Sequence, residues 1–502
     1  MADVLLTHSY HLPYDPKQVR KMQPYPPLGT LYAASALKAG NISVVVFDTM
    51  LEDPQPGFTT MLEQQRPKLV VIYEDDFNFL SKMCLTRMRE LAWELARKAQ
   101  DFGAVVIAHG SDATDQAELY LRNGIDFVLL GEAEQTLVEL CSALLSGYEY
   151  LAIPGLVYLD SAENSVQSHG RTPKNASWNV LPMPSRELIG LEPYRRAWVQ
   201  AHGYFSTNVV ASRGCPYRCN WCAKPISGDK FQIRSAHVVA AEICELKDVY
   251  GVQHIWFGDD VFALNHHWVR EFADEIESMQ CALPFKIQSR ADLMTRMATV
   301  ADLKRAGCAE IWMGVESGSQ KMLDAMDKGI RVSDVIAARA RISEEGIRAC
   351  YFLQFGYPGE TWEDIQQTIE LVRNTRPDDI GISFSYPLPG TVFYDRVQEQ
   401  IGTKRNWTDS DDLCVMFCAA YQDVFYKALR EALHAEVDSW KDGAASEQKI
   451  DLASLWQRVY DLEPISRNLE ATTFSFEETR EGRSNQKFVP LQILTSSAAR
   501  QI

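Results

Sequence analysis

Short apolar runs alternate with amphipathic stretches over the first 145 or so residues. "ADVLLTHS", "ISVVVFD", "KLVVIYED", "AVVIAHG" and "IDFVLLG" are β-rich runs of strand length, each closed by polar residues or glycine. Five strands with helices between them predict a doubly wound, Rossmann-like parallel sheet over residues 1–148. Ligands of such sheets lie beyond the strand C-termini, which here carry Asp48, Glu74, Asp75, His109, Gly110, Gly131 and Glu132. Strand-end polar residues also cap helices and solvate loops, so none is diagnostic alone. No G-x-G-x-x-G follows a strand, and a nicotinamide site is not expected.

The pattern changes over residues 149–204, where "IPGLVYLDSAENSVQSHGRTPKN" predicts a hairpin and "LPMPSRELI" a proline-punctuated linker. A second alternating series follows: "TNVVASRGC", "HIWFGDDVF", "FKIQSRADL", "EIWMGVESGS", "RACYFLQFGYPGE" and "DIGISFSYPLPG". With helical segments such as "AHVVAAEICELKDVY" between them, these six predict a partial (β/α)6 barrel over residues 205–400. Its strand ends carry a cysteine-rich loop, Asp259 and Asp260, Arg290, Glu316 and Ser317, Gly356 to Glu360, and Pro387 to Gly390. Residues 401–502 predict a mainly helical module, with Leu413, Phe417, Tyr421 and Val424 on one helix face and Leu452, Leu455, Val459 and Leu462 on another. Cys414 and Cys418 then fall in an apolar stripe and are expected in the core, as are Tyr421, Phe425 and Tyr426. The end of the chain is polar except for "FVPLQIL".

Composition narrows the classes. At 502 residues with 46% hydrophobic and 23% charged, the α/β chain is expected to be folded nearly throughout and to comprise several domains. A net charge of -17 repels polyanions and disfavours nucleic acid. No apolar run approaches the roughly 18 residues of a membrane span and no leader is evident, so a cytoplasmic enzyme is expected. Eight of the eleven cysteines are scattered in apolar settings with no disulfide framework, which fits a reducing compartment.

The other three are different. "ASRGCPYRCNWCAKPISG", residues 211–228, sets Cys215, Cys219 and Cys222 in a C-x3-C-x2-C array. A closed zinc site takes four ligands and a disulfide two, so three thiolates on one loop suggest a metal centre with an open position. A cubane iron-sulfur cluster normally takes four thiolates, one per iron, and with three an iron stays exchangeable. Zinc with a distant fourth ligand and a simple electron-transfer cluster remain alternatives.

The loop, with an aromatic just before its third cysteine, resembles the signature of the radical S-adenosylmethionine (SAM) superfamily. "GDDVF", "MGVESGS", "FGYPGE" and "YPLPGT" follow in order up to residue 391 and resemble the strand-end motifs that line the SAM pocket of that family. The resemblance implies that Cys215, Cys219 and Cys222 hold a 4Fe-4S cluster whose unique iron binds SAM, with reductive cleavage to methionine and a 5'-deoxyadenosyl radical. It implies a SAM site at Tyr217, Trp221, Gly258, Asp259, Asp260, Arg290, Glu316, Ser317, Gly356 and Pro389. Residues 25–48 and "GIDFVLLGEAEQTLVEL" resemble the cobalamin-binding domain that precedes the barrel in one subclass, which implies cobalamin at Glu74, Asp75, His109, Gly110, Gly131 and Glu132. Two departures are visible: D-x-H-x-x-G is absent, and "AHG" at residues 108–110 replaces the usual glycine pair.

The expected function is a cobalamin-dependent radical SAM methyltransferase acting on an unactivated carbon of a small-molecule or lipid-like metabolite, with no catalytic residue assigned. The alternative is a cyclase or rearrangement enzyme similar to the oxygen-independent Mg-protoporphyrin cyclase; a non-catalytic iron-sulfur or zinc module is disfavoured. So is a tRNA methylthiotransferase, because the N-terminal domain offers only Cys84 and Cys141 and the chain is acidic. A flavodoxin or ferredoxin is the expected electron donor, docking on Arg213, Arg218, Lys224, Lys230 and Arg234 if those cations form a surface patch.

Overall fold

The computed structural model describes residues 1–160, 164–170, 178, 181–224, 226–441 and 451–468. Its first sheet holds the five expected parallel strands β1 (Val4–Thr7), β2 (Val44–Phe47), β3 (Leu69–Tyr73), β4 (Val105–His109) and β5 (Phe127–Leu129), in the order β2-β1-β3-β4-β5. Alternate side chains enter two separate cores. Leu5, Val70 and Ile72 pack against the helices Pro54–Gln65 and Thr86–Asp101, while Val4, Leu6 and Val71 pack against Leu28–Ala39 and Glu134–Ser146. Burial on both faces explains why these strands read as continuous apolar runs.

The hairpin β6 (Leu156–Asp160) and β7 (Ser165–Ser168) continues this sheet, because β6 pairs antiparallel with β5 and buries Leu156 and Val157. The second sheet begins at β8 (Ser206–Val209), and a short antiparallel ribbon, β9 (Ser212–Arg213) with β10 (Gln232–Ile233), follows. The sheet then continues with β11 (His254–Phe257), β12 (Phe285–Ser289), β13 (Cys308–Glu316), β14 (Arg348–Phe355) and β15 (Asp379–Phe384). All six strands are parallel in the order β15-β14-β13-β12-β11-β8, so β8 and β15 are its edges.

Alternate positions of this sheet stay open to water. Phe285, Ile287, Ile311, Met313, Ile380 and Ile382 are buried, whereas Lys286, Gln288, Trp312, Gly314, Phe352 and Gly381 are half-buried and Ser383 is exposed. One face packs on helices, and the other, partly open to water, is the chamber side of the sheet. The N-terminal segment runs along this chamber, with the Tyr25 ring 4.6 Å from Trp256 and the Pro26 carbonyl accepting from Asn208 Nδ2 at 2.9 Å.

Three expectations need correction. Residues 413–421 are not helical, since the first C-terminal helix is Asp423–Asp438. Leu413, Phe417 and Tyr421 are buried, but Val424 is 41% exposed. Backbone groups here have tertiary partners instead of helical ones: the Cys414 carbonyl accepts from Trp407 Nε1 and Val415 N donates to Asp423. Second, Cys244 and Cys281 form a disulfide, their Cα atoms 5.1 Å apart where the helices Ala236–Asp248 and His266–Met279 end side by side. The third, the cationic patch, is treated below.

Tyr421, Phe425 and Tyr426 pack in the core, and the helix Leu452–Ile465 turns Trp456 and Val459 inward. The "FVPLQIL" stretch lies outside the described residues. Among the described residues no helix is long and apolar enough to cross a membrane.

Candidate functional site

The cysteine loop is the connection between β9 and β10, and the ribbon closes its neck. Gly214 sits at φ +77°, where a Cβ would lie 2.0 Å from the Lys230 carbonyl, so only glycine lets the two arms approach this closely. Lys224 Nζ ties the loop from within, donating to the carbonyls of Cys215 (2.8 Å) and Tyr217 (2.6 Å) and pairing with Asp229 (2.6 Å). Asn220 ties it to the barrel. Its Nδ2 donates to the Ala325 carbonyl (2.7 Å) and Asp327 (3.0 Å), its Oδ1 accepts from Tyr357 Oη (2.7 Å), and its carbonyl accepts from Phe393 N (3.0 Å).

Cys215, Cys219 and Cys222 are half-buried free thiols. Burial pushes the Cys222 thiol up to about 12, helped by the Asp260 carboxylate and the other two cysteines, and burial raises Cys215 in the same direction. Such thiols become ligands only when metal binding offsets the cost of deprotonation. Among the described residues no three His, Cys, Asp or Glu groups converge on one ion-sized point. The three thiols lie near enough for their charges to act on one another, and three thiolates on one loop suit three irons of a cubane.

The barrel strand ends surround this loop. Gly258 ends β11 beside Phe77 of the first sheet's connections, its Cβ position 3.4 Å from the Phe77 carbonyl. Asp259 is buried and accepts from Ala211 N (3.0 Å) and Ser212 Oγ, so it secures the start of the loop; burial pushes its carboxyl up to about 7. Asp260 pairs with Lys82. Arg290 stacks over the Tyr217 ring at 3.6 Å, donates to the Lys328 carbonyl (2.9 Å) and pairs with Asp292 (3.0 Å).

Glu316 adopts a left-handed φ of +63° where the β13–β14 register shifts, a conformation held against its cost by the surrounding structure. Its carboxylate accepts from Lys328 Nζ at 2.7 Å, and that ammonium lies 6.0 Å from the Trp221 ring centre. Ser317 bonds instead with Thr368 Oγ1 (3.0 Å) of the helix Trp362–Thr375. Gly356, at φ +80°, donates its N–H to Glu360 (2.8 Å), and Pro389 stands in the turn before Thr391, which caps the helix Val392–Val397 that delivers Phe393 to Asn220. Tyr217, Trp221, Arg290 and Glu316 are thus brought together through Lys328. Neither Lys328 nor Asn220 has a signature in the sequence.

On the first sheet, Glu74 accepts from Ser9 N (3.1 Å) and Oγ (2.6 Å), and burial pushes it to about 7. Asp75 accepts from Gly29 N (2.9 Å), and burial pushes it to about 6. His109 stacks on Tyr73 (4.0 Å), contacts the Gly131 carbonyl through Nε2 (2.8 Å) and lies 3.3 Å from Asp76 through Nδ1. Gly110 and Gly131 take φ of +144° and +75°, and Glu132 precedes Ala133, the N-cap of the helix Glu134–Ser146. The six residues therefore gather along the C-terminal edge of β3, β4 and β5.

That edge faces the cysteine loop. Glu134 pairs with Arg213 of β9, both side chains under 8% exposed, and the Arg213 guanidinium lies 4.6 Å from the Trp178 ring centre and 5.1 Å from that of Phe77. Lys82 to Asp260 is a second bridge across the seam. Asp75 Oδ2, Tyr32 Oη and Trp178 Nε1 are buried beside it with no hydrogen-bond partner among the described residues, which suits a polar ligand there. A separate cavity of about 460 Å³, lined by residues such as Lys38, Met183, Arg186 and Tyr250, contains none of these groups.

The cationic patch does not exist as a surface. Arg213 and Arg234 are buried in pairs with Glu134 and Glu242, and Lys224 is spent inside the loop. Only Arg218 and Lys230 of the five are exposed, because the ribbon turns its charged side chains into the protein.

Residues 209–372 match the family described as the radical SAM superfamily. An uncharacterized methyltransferase of Pyrococcus horikoshii is 27% identical over 388 residues, 76% of this chain and 81% of that protein. The anaerobic magnesium-protoporphyrin IX monomethyl ester cyclase of Rubrivivax gelatinosus is 23% identical over 75% of this chain and 67% of its own. The radical S-adenosylmethionine methyltransferase TsrM of Kitasatospora setae, solved with cobalamin and a 4Fe-4S cluster bound, shares the fold with a TM-score of 0.65 at 18% identity, over 80% of this chain and 75% of that one. The match places a radical SAM domain at residues 209–372, the part of the chain that carries the cysteine loop and the strands β11 to β14.

Proposed function

We propose that the chain is a cobalamin-dependent radical SAM methyltransferase that acts on an unactivated carbon of a small-molecule or lipid-like metabolite. The observation that carries this reading is the seam, where the C-terminal edge of the first sheet meets the cysteine loop through Arg213 and Glu134. Two ligand-presenting edges that face each other suit two cofactors acting on one substrate. When bound, the cluster supplies the electron that cleaves SAM, and cobalamin carries the methyl group. In this reading Cys215, Cys219 and Cys222 hold the cluster; Tyr217, Trp221, Gly258, Asp260, Arg290, Glu316 and Gly356 shape the SAM site, with Asp259, Ser317 and Pro389 supporting it from behind. Glu74, Asp75, His109, Gly110, Gly131 and Glu132 would hold cobalamin.

Methyltransferase relatives and the bound cobalamin of TsrM support this assignment. A flavodoxin or ferredoxin supplies the electron, approaching the exposed Arg218 and Lys230, and the cytoplasm is the proposed place of action. Oxidative cyclisation is the second reading, favoured by the similarity to the Rubrivivax cyclase. Anaerobic incubation of the reconstituted chain and native-cell extract with SAM labelled at its methyl group separates the two: methyl transfer gives a labelled product, and cyclisation gives an unlabelled product short of two hydrogens.

A further inference from the structure

The chamber of the second sheet has a charged floor. Lys286 on β12 lies four residues before Arg290, about 13 Å toward the strand N-terminus at the usual rise per residue. Its ammonium stands 5.6 Å from the Tyr25 ring centre and 5.8 Å from that of Trp256; Glu310 is in register with it on β13, but that carboxylate forms its ion pair with Arg348 (2.7 Å). Lys17 and Lys21 come from the short helix Pro16–Lys21, and Arg430 from Asp423–Asp438, which packs beside β15. Lys17 donates to the Ser410 carbonyl (3.3 Å), and Arg430 Nε is buried with no hydrogen-bond partner among the described residues.

Lys21 lies within electrostatic reach of Lys286 and Arg430, and Lys17 of Lys21 and Arg430. Burial, and then Lys21 and Arg430, bring Lys17 down to about 8; burial, and then Lys286, lower Lys21. Burial also lowers Lys286 and Arg430. Yet Lys21 is exposed and the other three are half-exposed. Side chains that are crowded by protein and still touch water line a recess.

The neighbouring carboxylates are already engaged: Asp379 with Lys441 (3.4 Å), Asp411 with Arg20 (2.6 Å) and Glu310 with Arg348 (2.7 Å). Asp15 is the exception; it caps its own helix and bonds Ser410, and it offsets part of the positive charge. His434 nearby is held neutral, pushed down to about 4 by burial and by Arg430. In a chain of net charge -17, a cluster of cations that its neighbouring carboxylates only partly compensate favours an anion.

We infer that the chamber floor binds the anionic end of the substrate, a carboxylate or a phosphate, through Lys17, Lys21, Lys286 and Arg430. This rests on the reading of the chamber as the substrate site. Between floor and mouth, Trp312 stacks on Phe352 (4.8 Å) beside Gly314 and Gly381, so the wall suits an apolar or aromatic body. The substrate class is therefore an elongated apolar molecule with an acidic end, its reactive carbon near the cysteine loop.

Calorimetric titration of the anaerobically reconstituted full chain with inorganic pyrophosphate and, separately, with citrate tests this at fixed ionic strength. Tighter binding of pyrophosphate identifies a phosphate end and tighter binding of citrate a carboxylate end; either supports the site. Lys21→Gln and Lys286→Met should each weaken binding about tenfold, the loss of one charge-assisted contact partly open to water, and Lys286→Arg should restore most of it. Lys21 is exposed, so its variant keeps the test valid should Lys286→Met not fold. Wild-type protein that cleaves SAM but binds neither anion, or variants that bind as tightly as wild type, overturn the inference. Anion binding by protein that fails to cleave SAM upholds the site and overturns the enzymatic reading alone.

Discussion

Arg213→Met separates the two sheets' electrostatic connection from their packing. Arg213 and Glu134 are buried together; burial opposes the Glu134 charge, yet the guanidinium holds its carboxyl below its ordinary value. The single variant leaves a buried carboxylate without its partner, which costs about 3–5 kcal/mol, and loses the contact with Trp178, worth about 1 kcal/mol. Removing both charges, in Arg213→Met with Glu134→Leu, leaves no orphan and should return the chain to within about 1–2 kcal/mol of wild type. With the Glu134→Leu single variant measured as well, the double-variant loss minus the sum of the two single losses gives the coupling across the seam. Anaerobic urea unfolding followed by tryptophan fluorescence measures it, supported by limited proteolysis to report separation of the sheets. Equal losses in the single and double variants, or a single-variant loss under about 1 kcal/mol, refute the reasoning that this pair holds the two edges together.

Asn220→Ala removes three side-chain hydrogen bonds that fix the cysteine loop to the barrel, and a loss of about 2–4 kcal/mol of local stability should appear as lower iron per chain after reconstitution. Wild-type iron content in that variant would count against the anchoring role. Gly214→Ala should prevent the ribbon from closing, because its Cβ meets the Lys230 carbonyl at 2.0 Å, and cluster absorbance should be lost while far-ultraviolet circular dichroism is kept. Glu360 carries a pH prediction: burial raises its carboxyl from 4.5 to about 8, so the folded chain holds a proton that the unfolded chain has released. Its contribution to stability is full below pH 4.5 and is lost as pH rises toward and through about 8; Glu360→Gln should show a shallower fall in melting temperature between those limits.

The strands were legible because parallel strands buried on both faces must be apolar throughout, as "LLT", "VVVF" and "LVVIY" are, and because each ended in a turn residue. The cysteine loop was legible because its ligand chemistry is local, contained in eight residues from Cys215 to Cys222. What lay hidden depends on distance through space. Arg213 meets Glu134 across 79 residues of sequence, Asn220 meets Tyr357 across 137, and Lys17 reaches Ser410 across 393. A flanking arginine looks the same in sequence whether it is exposed or paired in the interior, and for this reason five cations suggested a patch of which only Arg218 and Lys230 are exposed. Residues 413–421 misled in the opposite way: apolar residues four apart fit a helix face, but an irregular segment can bury the same side chains when tertiary partners accept its backbone bonds.

Reductive SAM cleavage by the reconstituted chain tests the central claim most directly. With dithionite and SAM under anaerobic conditions, protein carrying about one 4Fe-4S cluster should form 5'-deoxyadenosine, detected by liquid chromatography with mass spectrometry, and the Cys215→Ala, Cys219→Ala, Cys222→Ala variant should form neither cluster nor 5'-deoxyadenosine. Fully loaded wild-type protein that leaves SAM intact, or a variant without these thiols that still cleaves it, contradicts the account.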